Sequence, residues 1–299
     1  MTAVDVAVVI PCYNAEAFLE ETLRSVFAQT RPAAEVVVVD DGSTDDSGAL
    51  AERLGARCVR QSQGGPAAAR NRGVRETTAS LVAFLDADDR FAPTKLERQV
   101  ERMAAAPRAV ACCCDAWLLR DGSRGGRKNE RRAVPTEIDF DHLLLQNPII
   151  CSTVLARRDA LLAAGGFDED PEIIATEDYD LWLRLVRAGR ILYLDEPLLD
   201  YRLVATSLSD DRRFLRGIDR IMDKVRGSVP ASPELEGRIG RRRARVRVDL
   251  AYQLTTEGQG AAARALLREA RRLGGWSPGL MKRWLRTFVG RRSTLSDRP

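Results

Sequence analysis

A chain of 299 residues, 44% apolar and 30% charged, has room for one large globular domain or a domain with an extension. It holds no run of about 18 apolar residues, which excludes a membrane-spanning helix. Residues 1–5 lack the basic-then-apolar pattern of a secretory leader, so the expected compartment is the cytoplasm. The net charge of +4 conceals two halves of opposite sign: residues 1–209 carry 25 basic and 33 acidic side chains, and residues 210–299 carry 22 and 10. Such a split points to two jobs along one chain.

The first apolar run, residues 4–10, reaches Pro11 broken only by Asp5. A second, Val36 to Val39, ends in Asp40-Asp41-Gly42-Ser43. Short β-branched runs of this kind read as strands buried on both faces, as in a parallel sheet. Between them, Phe18, Leu19, Thr22, Leu23, Val26 and Phe27 fall at helical spacing over residues 15–29. Residues 44–54 suit a second helix with Ser43 or Thr44 as its N-cap. A short strand near Arg57-Cys58-Val59 and a helix over residues 67–77 follow. Next comes the strand of residues 81–85, which runs into Asp86-Ala87-Asp88-Asp89. Strands alternating with helices predict an α/β doubly wound domain.

Residues 120–136, rich in Gly and Arg, read as a mobile loop. Beyond about residue 210 the strand signals stop, and helices are expected over residues 238–254, 261–273 and 280–289. The six cysteines have no zinc-type spacing, since Cys112, Cys113 and Cys114 are consecutive; they read as small buried hydrophobes. His142, the one histidine, reads as structural or surface.

Four turn-rich segments carry candidate chemistry, each with a plainer reading beside it. Pro11-Cys12-Tyr13-Asn14 offers backbone donors and an aromatic ring that can stack on a base, or is a simple strand-to-helix turn. Asp41 can accept from a ribose hydroxyl or a base N–H, or the segment is a helix cap. Gly64-Gly65 permits close approach and Arg70 can face a phosphate, or the segment merely feeds a helix. Asp86 and Asp88 crowd negative charge at a strand end. A hard divalent ion that also binds a diphosphate would relieve it, and a capped solvated turn is the alternative. Farther on, Glu177-Asp178 with Asp180 suits either a base of raised pKa or a helix N-terminus that favours carboxylates.

In this order the segments resemble a known family. Val8 to Glu16, Val39 to Asp45, Ala69 to Gly73, Phe84 to Asp89, Gly165 to Glu169 and Thr176 to Arg184 together look like a family 2 glycosyltransferase. The resemblance implies a GT-A fold: a mostly parallel, Rossmann-like sheet flanked by helices over residues 1–209. The donor half would span about residues 1–115 and the acceptor half about 116–209, with residues 210–299 a basic helical extension. It implies that a nucleotide-diphosphate sugar, a UDP-sugar foremost, binds at Pro11, Tyr13, Asn14, Glu16, Asp41, Arg70, Asp86, Ala87 and Asp88. Asp88, with Asp86, would hold Mn²⁺ or Mg²⁺. Gly166, Phe167, Asp168 and Trp182 would shape the acceptor site, with Asp178 as general base beside Glu177. The acceptor would be a glycan or lipid-linked hydroxyl, the anomeric configuration would invert, and the product would enter cell-surface glycan synthesis.

The chain departs from the family pattern at Val204, where a histidine commonly stands, so a second metal ligand there is in doubt. The basic helices have no aromatic platform for nucleic acid. The stretch 275–292 would either pack as a solvated face or lie on the anionic inner surface of a membrane. Two other classes compete: a nucleotidyltransferase, which would want a Lys/Arg-bearing phosphate loop after the first strand, and a non-catalytic nucleotide-sugar-binding module.

Overall fold

A computed structural model describes residues 4–203 and 211–274. They divide into two compact units, one of residues 4–143 and 147–203, the other of residues 144–146 and 211–274.

The first unit is built on one ten-stranded sheet. In chain order it runs β1 (Val6–Cys12), α1 (Glu16–Phe27), β2 (Glu35–Asp40), α2 (Ser47–Arg53), β3 (Arg57–Arg60), α3 (Gly65–Glu76) and β4 (Leu81–Phe84). Then follow β5 (Arg90–Phe91), α4 (Lys95–Ala104), β6 (Ala111–Arg120), β7 (Ser123–Arg127), β8 (Glu137–Ile138) and α5 (Phe140–Leu145). The unit continues with β9 (Leu155–Arg157), α6 (Arg158–Ala163), α7 (Glu177–Leu185) and β10 (Ile191–Arg202). The strand order is β3-β2-β1-β4-β9-β6-β10-β5, with β7 on β6 and β8 on β10. The four longer ladders, β1–β2, β1–β4, β2–β3 and β6–β10, are parallel, and the five short ones are antiparallel.

Burial explains the strands. Residues 6–10 and 81–85 are all buried, as a parallel strand covered on both faces requires. Helix α3 lies against β1 so closely that a Cβ on Gly73 would fall 2.2 Å from Val9 Cγ1. The chain from β1 to β3 winds one way, and α3 carries it back to β4 on the other side of β1. The sheet therefore reverses direction between β1 and β4, and ligand crevices form at the carboxyl ends of strands at such a point.

Several local expectations change. Helix α2 begins at Ser47, not residue 44, because the turn before it is used differently. The Ser43 N–H donates to Asp40 Oδ1 (2.8 Å) and the Thr44 N–H to Asn14 Oδ1 (2.8 Å). The polar stretch after residue 120 is no mobile loop: Ser123–Arg127 forms β7, paired with β6. Arg124 binds Asp200, and Arg127 binds Asp115 and Asp195, which pins that hairpin despite its glycines. All six cysteines are free, five of them buried.

Lys95 is a feature the sequence did not announce. It is fully buried at the start of α4. Its Nζ donates to Gln99 Oε1 (2.8 Å) and lies 4.1 Å from the Phe91 ring centroid, with no carboxylate in ion-pair reach among the described residues. Burial pushes its pKa down to about 8. A lysine whose folded pKa is depressed favours the neutral form, so the fold gains stability as pH rises from about 8 toward the ordinary lysine range. Lys95→Met is expected to raise stability by about 1–3 kcal/mol at pH 7. The gain should shrink toward pH 10, read as the difference in Tm between variant and wild type; a lower Tm at pH 7 would refute it.

The second unit is helical: α8 (Asp211–Ser228), α9 (Pro233–Thr256) and α10 (Gly260–Gly274). Helix α8 was not anticipated, yet Ile218, Ile221, Met222 and Val225 form one buried stripe on it. Helix α9 starts earlier than expected, at Pro233, because Ser232 caps it by accepting from the Leu235 N–H (3.0 Å). Arg243 and Arg247 bind Asp219, so part of the basic surplus is spent inside this unit. Among the described residues no helix is long and apolar enough to cross a membrane. The expected helix at 280–289, the stretch 275–292 and Val204 lie outside the described residues.

Candidate active site

The carboxyl ends of β1 and β4 sit side by side, with Val9 level with Phe84. Near the end of β1, Pro11 is half-buried, and just past it the Tyr13 ring is 47% exposed. Asn14 takes a left-handed φ of 49° and, with Glu16, joins the end of β1 to the turn after β2. Asp41 is buried. Its Oδ1 accepts from Gln61 Nε2 (2.7 Å) and the Gly64 N–H (2.8 Å), and its Oδ2 from the Gly65 N–H (2.7 Å). A carboxylate offers about four lone pairs, so one remains for another donor.

The turn after β4 is held on three sides. The Asp86 N–H donates to Ser152 Oγ (3.0 Å), Thr22 Oγ1 donates to Ala87 O and Asp89 O (2.8 and 2.9 Å), and Arg202 Nε donates to Asp88 O (2.9 Å). Ser152, Thr22 and Arg202 carried no role in the sequence reading; they lie far along the chain and only the fold brings them here. Asp86 and Asp88 are half-buried while Asp89 is fully buried, its Oδ1 accepting from the Arg202 N–H (2.9 Å). Burial, then the Asp86 charge, pushes the Asp88 pKa up to about 6. Two crowded carboxylates of this kind fit a divalent cation. Among the described residues no third His, Cys, Asp or Glu joins them in a metal-holding group.

Arg70, expected to face a phosphate, is held by protein groups in this structure. It is 5% exposed, and its fork is occupied by protein: NH2 binds Asp86 Oδ1 and NH1 binds Glu177 Oε1, both at 2.7 Å. The guanidinium also sits 5.4 Å from the Phe167 ring centroid. Among the described residues Arg70 Nε and Glu177 Oε2 are buried without a hydrogen-bond partner. One guanidinium thus ties the end of β4 to the first turn of α7.

Asp178 stands next to that tie, half-buried in the first turn of α7. Its Oδ1 accepts from the Tyr179 N–H (2.6 Å). Burial, then the neighbouring Glu177, pushes its pKa up to about 7 against the opposing pull of Arg70. Asp180, by contrast, is spent on Arg184 (2.7 Å).

The expected acceptor wall divides in two. Trp182 and Phe167 do not line a surface. They are buried and pack with Phe84 at ring separations of 5.1 to 6.4 Å, an aromatic wedge beneath the site. Trp182 falls there because it lies four residues beyond Asp178 on a short helix whose inner face meets the sheet. Gly166 has φ +71°, and a Cβ there would meet Asn71 Oδ1 at 2.5 Å. Asn71 clamps that turn by accepting from the Phe167 N–H and donating to Phe167 O, both 2.8 Å. Asp168 is half-buried and accepts from the Asp170 N–H (2.9 Å). His142 lies on α5, half-buried, its N–H on Asp139.

This α/β architecture is that of the GT-A glycosyltransferases. S. aureus TarS 1–349 in complex with UDP-GlcNAc superimposes with a TM-score of 0.66 at 17% identity, over 96% of this chain and 89% of that one. The chain spans 54% of the longer TarS structure. The mannosyltransferase PcManGT of Pyrobaculum calidifontis, in complex with GDP-Man and Mn²⁺, gives 0.60 at 20% identity over 95% and 86%. At such identities the likeness establishes the fold.

Sequence carries the relation further. TuaG of Bacillus subtilis, named for a teichuronic acid biosynthesis glycosyltransferase, is 31% identical over 69% of this chain and 82% of its own length. WfaP of Escherichia coli, a UDP-Glc:α-D-GlcNAc-diphosphoundecaprenol β-1,3-glucosyltransferase, is 28% identical over 69% and 80%. The sequence model for glycosyl transferase family 2 matches residues 7–164, and the chain belongs to that family. It is a glycosyltransferase.

Proposed function

We propose that the protein is an inverting, divalent-cation-dependent transferase that moves a sugar from a nucleoside diphosphate, foremost a UDP-sugar, to an acceptor hydroxyl. The acceptor belongs to a cell-surface glycan or a lipid-linked precursor, and the reaction takes place on the cytoplasmic side of the membrane, with residues 275–292 as the segment that contacts it. Residues 1–209 are the catalytic domain, its donor half about 1–115 and its acceptor half about 116–209, with residues 210–299 the extension.

The observation that carries this reading is the single Arg70 guanidinium joining Asp86 to Glu177. That bridge ties the strand-end carboxylate pair, with Asp88 at a pKa of about 6, to the first turn of α7, where the half-buried Asp178 has a pKa of about 7. Tyr13 stacks on the base, and Asp41 meets it or the ribose through its remaining lone pair. Asp88 and Asp86 are the residues that would hold the cation, whose charge offsets that developing on the departing diphosphate. Asp178 removes the proton from the acceptor hydroxyl. The freed oxygen attacks the anomeric carbon from the face opposite the diphosphate, which inverts the configuration. Gly166 and Asp168 shape the acceptor side, with Phe167 and Trp182 supporting them from below.

The test is Asp88→Asn. It should weaken Mn²⁺ binding in the presence of UDP by about 100-fold, the upper end of what even outer-shell losses cost a metal site. Chelation should abolish transfer by the wild type. A variant with unchanged Mn²⁺ affinity would remove Asp88 from the metal assignment.

A further inference from the structure

The stretch that follows β7 is strapped in place. The Lys128 N–H donates to Ala116 O (2.9 Å), the Asn129 N–H to Asp115 Oδ1 (3.1 Å) and Asn129 Nδ2 to Pro148 O (3.1 Å). Arg127 Nε donates to Asp115 Oδ2 (2.7 Å), and the Arg132 N–H to Asn129 O (2.8 Å). Asp115 is fully buried and occupied by these donors. Its role is to fix the backbone that presents Lys128.

The Lys128 side chain is half-buried, yet its ammonium has no hydrogen bond and no ion pair among the described residues. Burial, then the Arg132 charge, lowers its pKa, against the opposing pull of the Asp178 and Asp115 carboxylates. The Arg132 guanidinium is exposed and likewise unpaired among the described residues. Holding a half-buried cation without a partner costs stability, and an anionic ligand recovers that cost. Asp178 is near enough for its charge to act on Lys128, yet the two form no ion pair within 4.0 Å among the described residues.

We propose that Lys128, assisted by Arg132, binds an anionic group on the acceptor, a phosphate or carboxylate attached to the acceptor sugar, and so sets one hydroxyl against Asp178. This rests on the reading of Asp178 as the base that meets the acceptor. It makes the transferase selective for charged acceptors, by a cation that the donor does not need.

The full chain, with its donor site saturated by UDP and Mn²⁺, is titrated calorimetrically with glucose 1-phosphate, glucuronate and methyl glucoside. At least one anionic sugar should bind about tenfold more tightly than the neutral glycoside, and added salt should erode the difference. Lys128→Gln should abolish the preference while leaving UDP affinity unchanged, and Lys128→Arg should retain it. Tighter binding of the phosphate identifies a phosphorylated acceptor, and tighter binding of glucuronate a uronic acid. Equal binding of all three sugars, or a preference that survives Lys128→Gln, overturns the proposal. Asp178→Asn separates the two readings: undiminished turnover together with an intact Lys128-dependent preference would discard the base and keep the anion site.

Discussion

Asp178→Asn is expected to lower kcat by about 10³-fold, within the range for loss of a general base, while the Kd for UDP and Mn²⁺ stays unchanged. Asparagine keeps the size of the side chain and its contact to the Tyr179 N–H but cannot take a proton. The wild-type rate should climb about tenfold per pH unit below pH 7 and level off above it, because the carboxylate that works is the minority form below a pKa of about 7. Stability provides a second readout of opposite sign. A carboxyl whose folded pKa is raised favours its protonated form, so the stability it contributes is complete below pH 4 and is lost as pH rises through 7. Asp178→Asn should therefore raise Tm at pH 8 and leave it nearly unchanged at pH 4. Full turnover in the variant, or a flat wild-type profile between pH 5 and 7, would remove Asp178 from this role.

The sequence made this site legible wherever chemistry sits at the end of a local pattern. An apolar run that stops at Asp86-Ala87-Asp88 marks a strand end from residue types alone, and the β1–β4 pairing then puts that end beside Tyr13. What could not be read is anything that depends on which residues meet across the chain. Arg70 was visible as a cation on a helix, but its partners lie 16 and 107 residues away, so its ties to Asp86 and Glu177 could not be read from the sequence. Trp182 was placed in the acceptor site because it belongs to the Thr176 to Arg184 segment of the resemblance; only the packing of Phe84 and Phe167 against it shows that its ring is turned inward. The β6–β7 hairpin was hidden because its stability comes from Arg124 and Arg127 reaching acids on other strands, not from β-forming residues of its own. Lys95 and Lys128 share one difficulty: lysine in a sequence reads as solvated, and nothing local says that its ammonium is enclosed.

Arg70 connects the two halves of the site, and its loss should be the most damaging change to the fold. Arg70→Met would leave Glu177, 4% exposed, and the neighbouring Asp86 with no ion-pair partner among the described residues. Breaking a buried pair in this one-sided way costs about 3–5 kcal/mol, a large share of the roughly 5–15 kcal/mol that holds a domain together. The variant is expected to unfold at a much lower urea concentration than the wild type. Arg70→Lys keeps the charge but not the two-pronged fork, so a single ammonium must choose between Asp86 and Glu177. That variant should fold, with reduced stability, and it isolates the electrostatic part. The Arg70 charge holds the Asp178 pKa down, so a displaced or weakened cation lets that pKa rise. The acidic limb of the pH–rate profile should then move to higher pH in Arg70→Lys, and the loss of turnover should be greatest at pH 6 and smallest at pH 9. A purely structural role would lower the rate by the same factor at every pH. An unshifted limb in a folded Arg70→Lys variant would show that the guanidinium braces the site without tuning its base.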